Sequence, residues 1–77
     1  MYSQETETTD LKKARGSLIE ELEAINWYET RLEKVQDAAL RKVIEHNRDE
    51  EKEHAAMLIE WIRKADPKQN EAFKKHD

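Results

Sequence analysis

Apolar residues recur every three or four positions along the first half of the chain, the spacing that gathers them on one side of an α-helix. The pattern predicts a helix that begins near Leu11, with Thr9 or Asp10 as its N-cap, and runs to about Lys34. One polar residue interrupts its apolar stripe. The stripe consists of Ala14, Leu18, Glu21, Ile25, Tyr28 and Leu32.

The second half repeats this spacing and predicts a helix from Ala38 to about Ala65, with Asp37 as its N-cap. Pro67 ends it, because the residue before a proline avoids the α conformation. Three successive positions of this second stripe are polar. The stripe consists of Leu40, Ile44, Asn47, Glu51, His54, Leu58 and Trp61.

The two helical patterns predict an all-α fold class. Because Val35–Asp37 is the one plausible turn between them, the helices form a two-helix antiparallel hairpin. We divide the chain into a disordered segment (residues 1–9), the helical hairpin (10–66) and a polar tail or short helix (67–77). Gly16 and Pro67 are the only residues of their types, which fits long uninterrupted helices.

A chain of 77 residues with 36% hydrophobic and 42% charged residues buries only a thin core when alone. Small domains of this kind need disulfides, a metal or oligomerisation. The absence of cysteine excludes disulfides and thiolate metal sites. The composition therefore indicates oligomerisation, a metal bound through oxygen and nitrogen, or both.

The net charge of −4 and the lack of a basic face argue against a nucleic-acid partner. The longest apolar run, Ala55–Ile59, is far too short to span a membrane. Residues 1–10 lack the basic and apolar regions of a secretory signal. We therefore expect a cytoplasmic protein.

Ionisable residues on the packing stripes are the strongest chemical signal, because a buried carboxylate is costly unless a cation compensates it. Glu51 and His54 form a Glu-x-x-His motif, whose side chains project from one helix face. Glu21 and Glu51 each lie fifteen residues from Gln36, so a turn centred there places both about 22 Å from it. Glutamate and histidine suit iron, manganese or zinc.

This ligand set is half of a known arrangement. Ferritin-like di-iron bundles take one Glu from each of two helices and one Glu-x-x-His from each of the other two. The chain has each element once, at Glu21 and at Glu51–His54, so a twofold dimer supplies the complete set.

The neighbouring residues have simpler interpretations. Glu20 and Glu23 are ordinary solvated residues, or they form a path by which cations reach Glu21. Trp27 and Tyr28 are core or interface aromatics; Tyr28 shares the stripe of Glu21 and can flank the site. Met57 is expected in the core.

Two segments, Glu20–Tyr28 and His46–Met57, strongly resemble the encapsulated ferritin family. The similarity covers roughly residues 18–66, and the spacing between the two segments also fits.

This resemblance implies a four-helix, ferritin-like homodimer around a di-iron centre, and dimers that join into a ring-shaped decamer. Glu21, Glu51 and His54 of both chains match the iron ligands. Glu20 and Glu23 match an outer site where metal ions enter, which can take other divalent cations. Trp27 and Tyr28 match aromatics near the centre. Such proteins oxidise Fe(II) with dioxygen inside an encapsulin nanocompartment, whose shell stores the mineral.

Two other functions fit the same residues. One is a non-catalytic helical dimerisation module, in which polar stripe residues fix the register between chains. The other is a carboxylate protein that uses two manganese ions or acts as a peroxidase, because these metals share ligand types.

Overall fold

The chain folds into three α-helices in the computed structural model, which describes residues 4–77 and the side chains of residues 9–77. They are α1 (Gln4–Leu32), α2 (Ala38–Ala65) and α3 (Pro67–His76). Two ion pairs show that α1 and α2 are antiparallel. Glu29, near the end of α1, pairs with Arg48 in the first half of α2, whereas Arg15, earlier in α1, pairs with Asp66 directly after α2. The predicted antiparallel hairpin is therefore confirmed, and the C-terminal residues form the short helix. Over residues 4–77, no helix has the length and apolar content of a membrane-crossing segment.

The first helix departs from the prediction at both ends. It begins at Gln4 and ends at Leu32, so a start near Leu11 with Thr9 or Asp10 as the cap is wrong. Residues 4–9 of the segment expected to be disordered are helical, and residues 1–3 lie outside the described part. No glycine or proline precedes Gly16, so nothing in the sequence halts the helix at the capping residues.

The turn between the long helices is closed by two side chains. Asp37 caps α2 as predicted: its carboxylate accepts a hydrogen bond of 2.8 Å from the backbone N–H of Leu40. The guanidinium of Arg41 donates to the carbonyls of Leu32 (2.9 Å) and Val35 (3.0 Å). Arg41 thus satisfies the last carbonyl of α1 and one carbonyl of the turn.

The predicted stripe of α1 is its packing face, since each of its residues is at least half-buried. On α2 the prediction is partly wrong, because the side that meets α1 is rotated. Leu40, His54 and Trp61 of the predicted stripe are exposed. The most buried residues of α2 are instead Ile44, Ala55 and Ile62.

Polar contacts reinforce the open end and the middle of the hairpin. Asp66 caps α3 through the N–H of Gln69 (3.2 Å) and pairs with Arg15 of α1 (3.0 Å), so one carboxylate links all three helices. Further along, Arg48 pairs with Glu29 across the hairpin (2.9 Å). Arg48 donates hydrogen bonds to the carboxylates of Glu29 and Asp49, and these bonds raise the pKa of Arg48.

The folded hairpin is one helix thick. Its principal extents are 55 × 27 × 14 Å, and an α-helix with its side chains is about 10–12 Å across. The buried hydrophobic residues of the described part are four, and none is below 2% exposed. They are Leu32, Ile44, Ala55 and Ile62. A single layer of this kind has little interior of its own, so a second layer is needed to bury more.

Replacing Arg41 tests the closure of the turn. We expect Arg41→Ala to lower the free energy of unfolding by about 1.5–3 kcal/mol, because two carbonyls lose a charged donor. Urea denaturation at fixed protein concentration measures the change. Lys42→Ala, an exposed neighbour on the same turn of α2, serves as the control and should change stability by less than about 0.5 kcal/mol. Equal loss in both variants would contradict this role.

Candidate metal centre

Three side chains meet halfway along the hairpin. Glu21 comes from the middle of α1, and Glu51 and His54 lie one turn apart on α2. The ligand atoms that these residues offer all lie within 4.8 Å of one another. Nδ1 of His54 is 3.5 Å from Glu21 Oε2 and 3.6 Å from Glu51 Oε2. The hairpin thus brings together the three residues that the sequence predicts as ligands.

One oxygen of this cluster has no hydrogen-bond partner. Glu21 Oε2 is buried and unsatisfied, the only such side-chain atom in the described part of the chain. Its 3.5 Å distance to His54 is longer than the usual 2.7–3.2 Å of an N–H···O bond. Because a buried polar atom without a partner costs about 1–3 kcal/mol, this oxygen marks a place where a further partner belongs.

The charges around the cluster favour a cation. Within residues 9–77, the ion-pair contacts of Glu21 and Glu51 both go to His54, and none goes to a lysine or arginine. Two carboxylates and an imidazole are donors that iron, manganese and zinc accept. Iron therefore fits the residues present, and Glu21, Glu51 and His54 are those that would hold it. One chain supplies three donors, which leaves room for donors from elsewhere.

The predicted flanking aromatics lie toward the turn. Tyr28 is half-buried and follows Glu21 by seven residues, or about 10 Å along the helix. Its ring meets the edge of Trp27, with centroids 5.1 Å apart. Arg31 stacks over Trp27 at 4.1 Å. Tyr28 thus shares the face of the site but is outside the three-residue cluster.

Glu20 and Glu23 lie on the outer side of α1. Both are exposed and line a shallow groove together with Ala24, Trp27 and Tyr28. Neither of them belongs to the cluster of three ligands. A solvated position suits either of the two interpretations given above, ordinary surface or cation capture.

Large apolar side chains are exposed on α2 both before and after the site residues, and we call this set the site face. Its residues are Leu40 (48% exposed), Val43 (56%), Met57 (65%) and Trp61 (44%). Leu40 and Val43 are three residues apart, and Trp61 follows Met57 by four residues and His54 by seven. Val43 and Met57 are fourteen residues apart, which is about four turns, so the set lies along one side of the helix. The expectation that Met57 is a core residue is wrong. The sequence carried a signal for this exposed surface, because Val43 and Met57 extend the apolar surface of α2 beyond the predicted stripe that contains Leu40 and Trp61.

Comparison with known proteins places the chain in context. A family model described as EncFtn-like matches residues 2–76. The crystal structure of protein ne0167 from Nitrosomonas europaea superposes with a TM-score of 0.85 at 49% identity, covering 96% of this chain and 79% of that one.

Curated relatives agree with this match. A "Ferritin-like protein" from Thermotoga maritima is 51% identical over 84% of this chain and 57% of its own length. An "Encapsulated ferritin-like protein" from Rhodospirillum rubrum is 50% identical over 80% and 44%. An "Encapsulin nanocompartment cargo protein EncC" from Myxococcus xanthus is 34% identical over 83% and 49%. The chain spans about half the length of these relatives.

Neutralising Glu21 tests whether the cluster is a metal site or a structural feature. We expect Glu21→Gln to weaken binding of Mn(II) or Fe(II), measured by calorimetry without oxygen. In metal-free protein we expect the free energy of unfolding to rise by about 1 kcal/mol. The substitution removes a partly buried charge, and the new amide can donate a hydrogen bond to Glu51 or His54. Glu53→Gln, an exposed carboxylate that no proposed role involves, is the control and should change neither quantity. A loss of stability in Glu21→Gln would show that the carboxylate is structural.

Proposed function

The chain belongs to the EncFtn-like family, and from this we propose that it is a ferroxidase, oxidising Fe(II) to Fe(III) with dioxygen at a di-iron site shared between two chains. The observation that carries the proposal is the cluster of Glu21, Glu51 and His54, with its unsatisfied carboxylate oxygen. An iron ion bound there supplies the missing partner.

Sharing between two chains follows from the donor count. Each hairpin presents one Glu and one Glu-x-x-His, half of the set that ferritin-like bundles use. A twofold axis at the site face doubles the set and buries the same residues of both chains. The thin hairpin and its exposed apolar side chains support pairing at this face. The product is a four-helix bundle.

Iron is the substrate of the proposed reaction. Each Fe(II) gives up one electron and dioxygen accepts it, so two ions held together deliver two electrons at once. Carboxylate oxygens stabilise the higher charge of Fe(III), because the attraction between ions in a partly buried site is stronger than in water. Glu21 and Glu51 therefore favour the oxidised product, while His54 completes the donor set from the neighbouring turn.

Residues around the centre receive supporting roles. Glu20 and Glu23 are exposed carboxylates beside α1, and we propose that they capture hydrated Fe(II) or other divalent cations before transfer inward. Tyr28 shares the face of the site about two turns from Glu21, and we propose that it adjusts turnover rather than binds iron.

The wider assembly is also a proposal. Two of the relatives are named as an encapsulated ferritin-like protein and as encapsulin nanocompartment cargo. We propose that pairs of this chain join into a ring-shaped decamer and act within an encapsulin compartment in the cytoplasm, whose shell protein is their partner and stores the oxidised iron.

A second function, a helical dimerisation module without catalysis, is favoured by one observation. The exposed site face of Leu40, Val43, Met57 and Trp61 suits pairing whether or not iron binds. Pairing that is independent of metal, together with no oxidation of Fe(II), would identify such a module.

Ligand removal tests the proposed chemistry. We expect Glu51→Gln and His54→Ala each to reduce the initial rate of Fe(II) oxidation at least tenfold, because each change removes a donor from both halves of the site. Absorbance of ferric iron after addition of Fe(II) in air gives the rate. Glu53→Gln is the matched control: it removes an exposed carboxylate from the same segment and should leave the rate unchanged.

Variants of the outer carboxylates complete that experiment. Glu20→Ala and Glu23→Ala should slow oxidation, more so at low salt, while the centre still binds metal.

For the ligand variants, oxidation at the parent rate by Glu51→Gln or His54→Ala would refute the ligand assignment.

Metal and pairing should be coupled. An ion that binds two chains but not one favours the pair by mass action, and without ions the four carboxylates repel each other. We expect anaerobic Fe(II) to convert dilute chains to pairs in sedimentation experiments. Acidification should reverse this, because protons compete with metal for the ligands. One species, unchanged by iron and by pH, would contradict the coupling.

A further inference from the structure

Met57 is the most exposed large apolar side chain of the described residues, at 65%. It lies on α2 three residues after His54, so the Cβ atoms of the two are about 5–6 Å apart. Both residues line a groove with Leu58 and Trp61. A thioether is therefore exposed to solvent on the site face, one turn from a ligand of the candidate metal centre.

Methionine differs from the other members of the site face in its chemistry. Its thioether is oxidised to a sulfoxide, which turns a flexible apolar side chain into a polar one and disrupts the interfaces that it enters. Leu40, Val43 and Trp61 offer no comparable reversible change. Oxidation at this one position therefore alters the polarity of the site face without altering the three metal ligands.

We propose that Met57 is an oxidation site through which peroxide controls the pairing of chains. The proposal rests on the proposed function for its source of oxidant. Two Fe(II) ions give two electrons to one dioxygen, which takes up two protons and becomes hydrogen peroxide. The peroxide O–O bond then breaks, one oxygen atom bonds to Met57 Sδ, and the other leaves as water. The sulfur is oxidised by two electrons and the peroxide is reduced by two.

The exposure of Met57 determines which chains can react. Met57 is open to solvent in the single hairpin, and in the proposed pair a second copy on the site face covers it. Peroxide therefore reacts with unpaired chains, and the sulfoxide then opposes their pairing. A twofold pair buries two such groups, and a buried polar group without a partner is unfavourable. We expect each sulfoxide to lower the association constant about tenfold, which corresponds to about 1.4 kcal/mol. Accumulated peroxide would thus limit the formation of new pairs, and with them of new iron-oxidising centres.

The first experiment uses reagent hydrogen peroxide on metal-free chain. Peptide mass spectrometry should show one added oxygen atom at Met57, and sedimentation over a concentration series, without metal and then with Mn(II), should show weaker pairing. Methionine sulfoxide reductases should restore pairing, which separates this effect from damage at Trp61. Met57→Leu, a change that keeps the volume, should pair equally before and after peroxide. Equal pairing of treated and untreated parent chain would overturn the proposal.

The second experiment asks whether the centre supplies the oxidant. After repeated Fe(II) additions in air, Met57 should carry the sulfoxide, and catalase should prevent it. Consumption of Fe(II) with Met57 unmodified would overturn the peroxide feedback. If Fe(II) is not consumed at all, the proposed ferroxidase function fails, while the reagent experiment still decides whether the sulfoxide blocks pairing.

Discussion

Two carboxylates on the packing face of a thin hairpin, with a single histidine between them, are the constraint on which the rest of the structure depends. Glu21 Oε2 is buried without a hydrogen-bond partner, and in the described part of the chain neither carboxylate pairs with a lysine or arginine. An apolar residue at position 21 would pack more cheaply. We therefore propose that a cation belongs in the cluster, where it would balance the negative charge and be coordinated by the unsatisfied oxygen.

This constraint links the site to the assembly. The hairpin is a single layer 14 Å thick, and its exposed leucine, valine, methionine and tryptophan side chains lie along α2 before and after the ligands. One event, the packing of a second hairpin on the site face, would bury these side chains and double the donor set. The hairpin itself is held independently of the metal, by Arg41 at the turn and Asp66 at the open end.

Much of this was predictable from sequence. The spacing of apolar residues, the capping residue Asp37 and the stop at Pro67 gave α2 its observed bounds, and equal distances from the turn placed Glu21 level with Glu51. The rotation of α2 was not predictable in the same way. Its apolar arc is wider than one stripe, and the sequence does not say which part meets α1 and which part stays exposed in the hairpin. For this reason Met57, which was expected in the core, is exposed in the structure.

Native mass spectrometry of the chain after anaerobic Fe(II) addition tests the central claim, that each hairpin is half of a metal centre, most directly. We expect metal-free single chains and pairs that carry two iron ions, with less iron bound by Glu21→Gln chains. Single chains that each bind one ion without pairing would contradict it, because the three donors would then form a complete site within one hairpin.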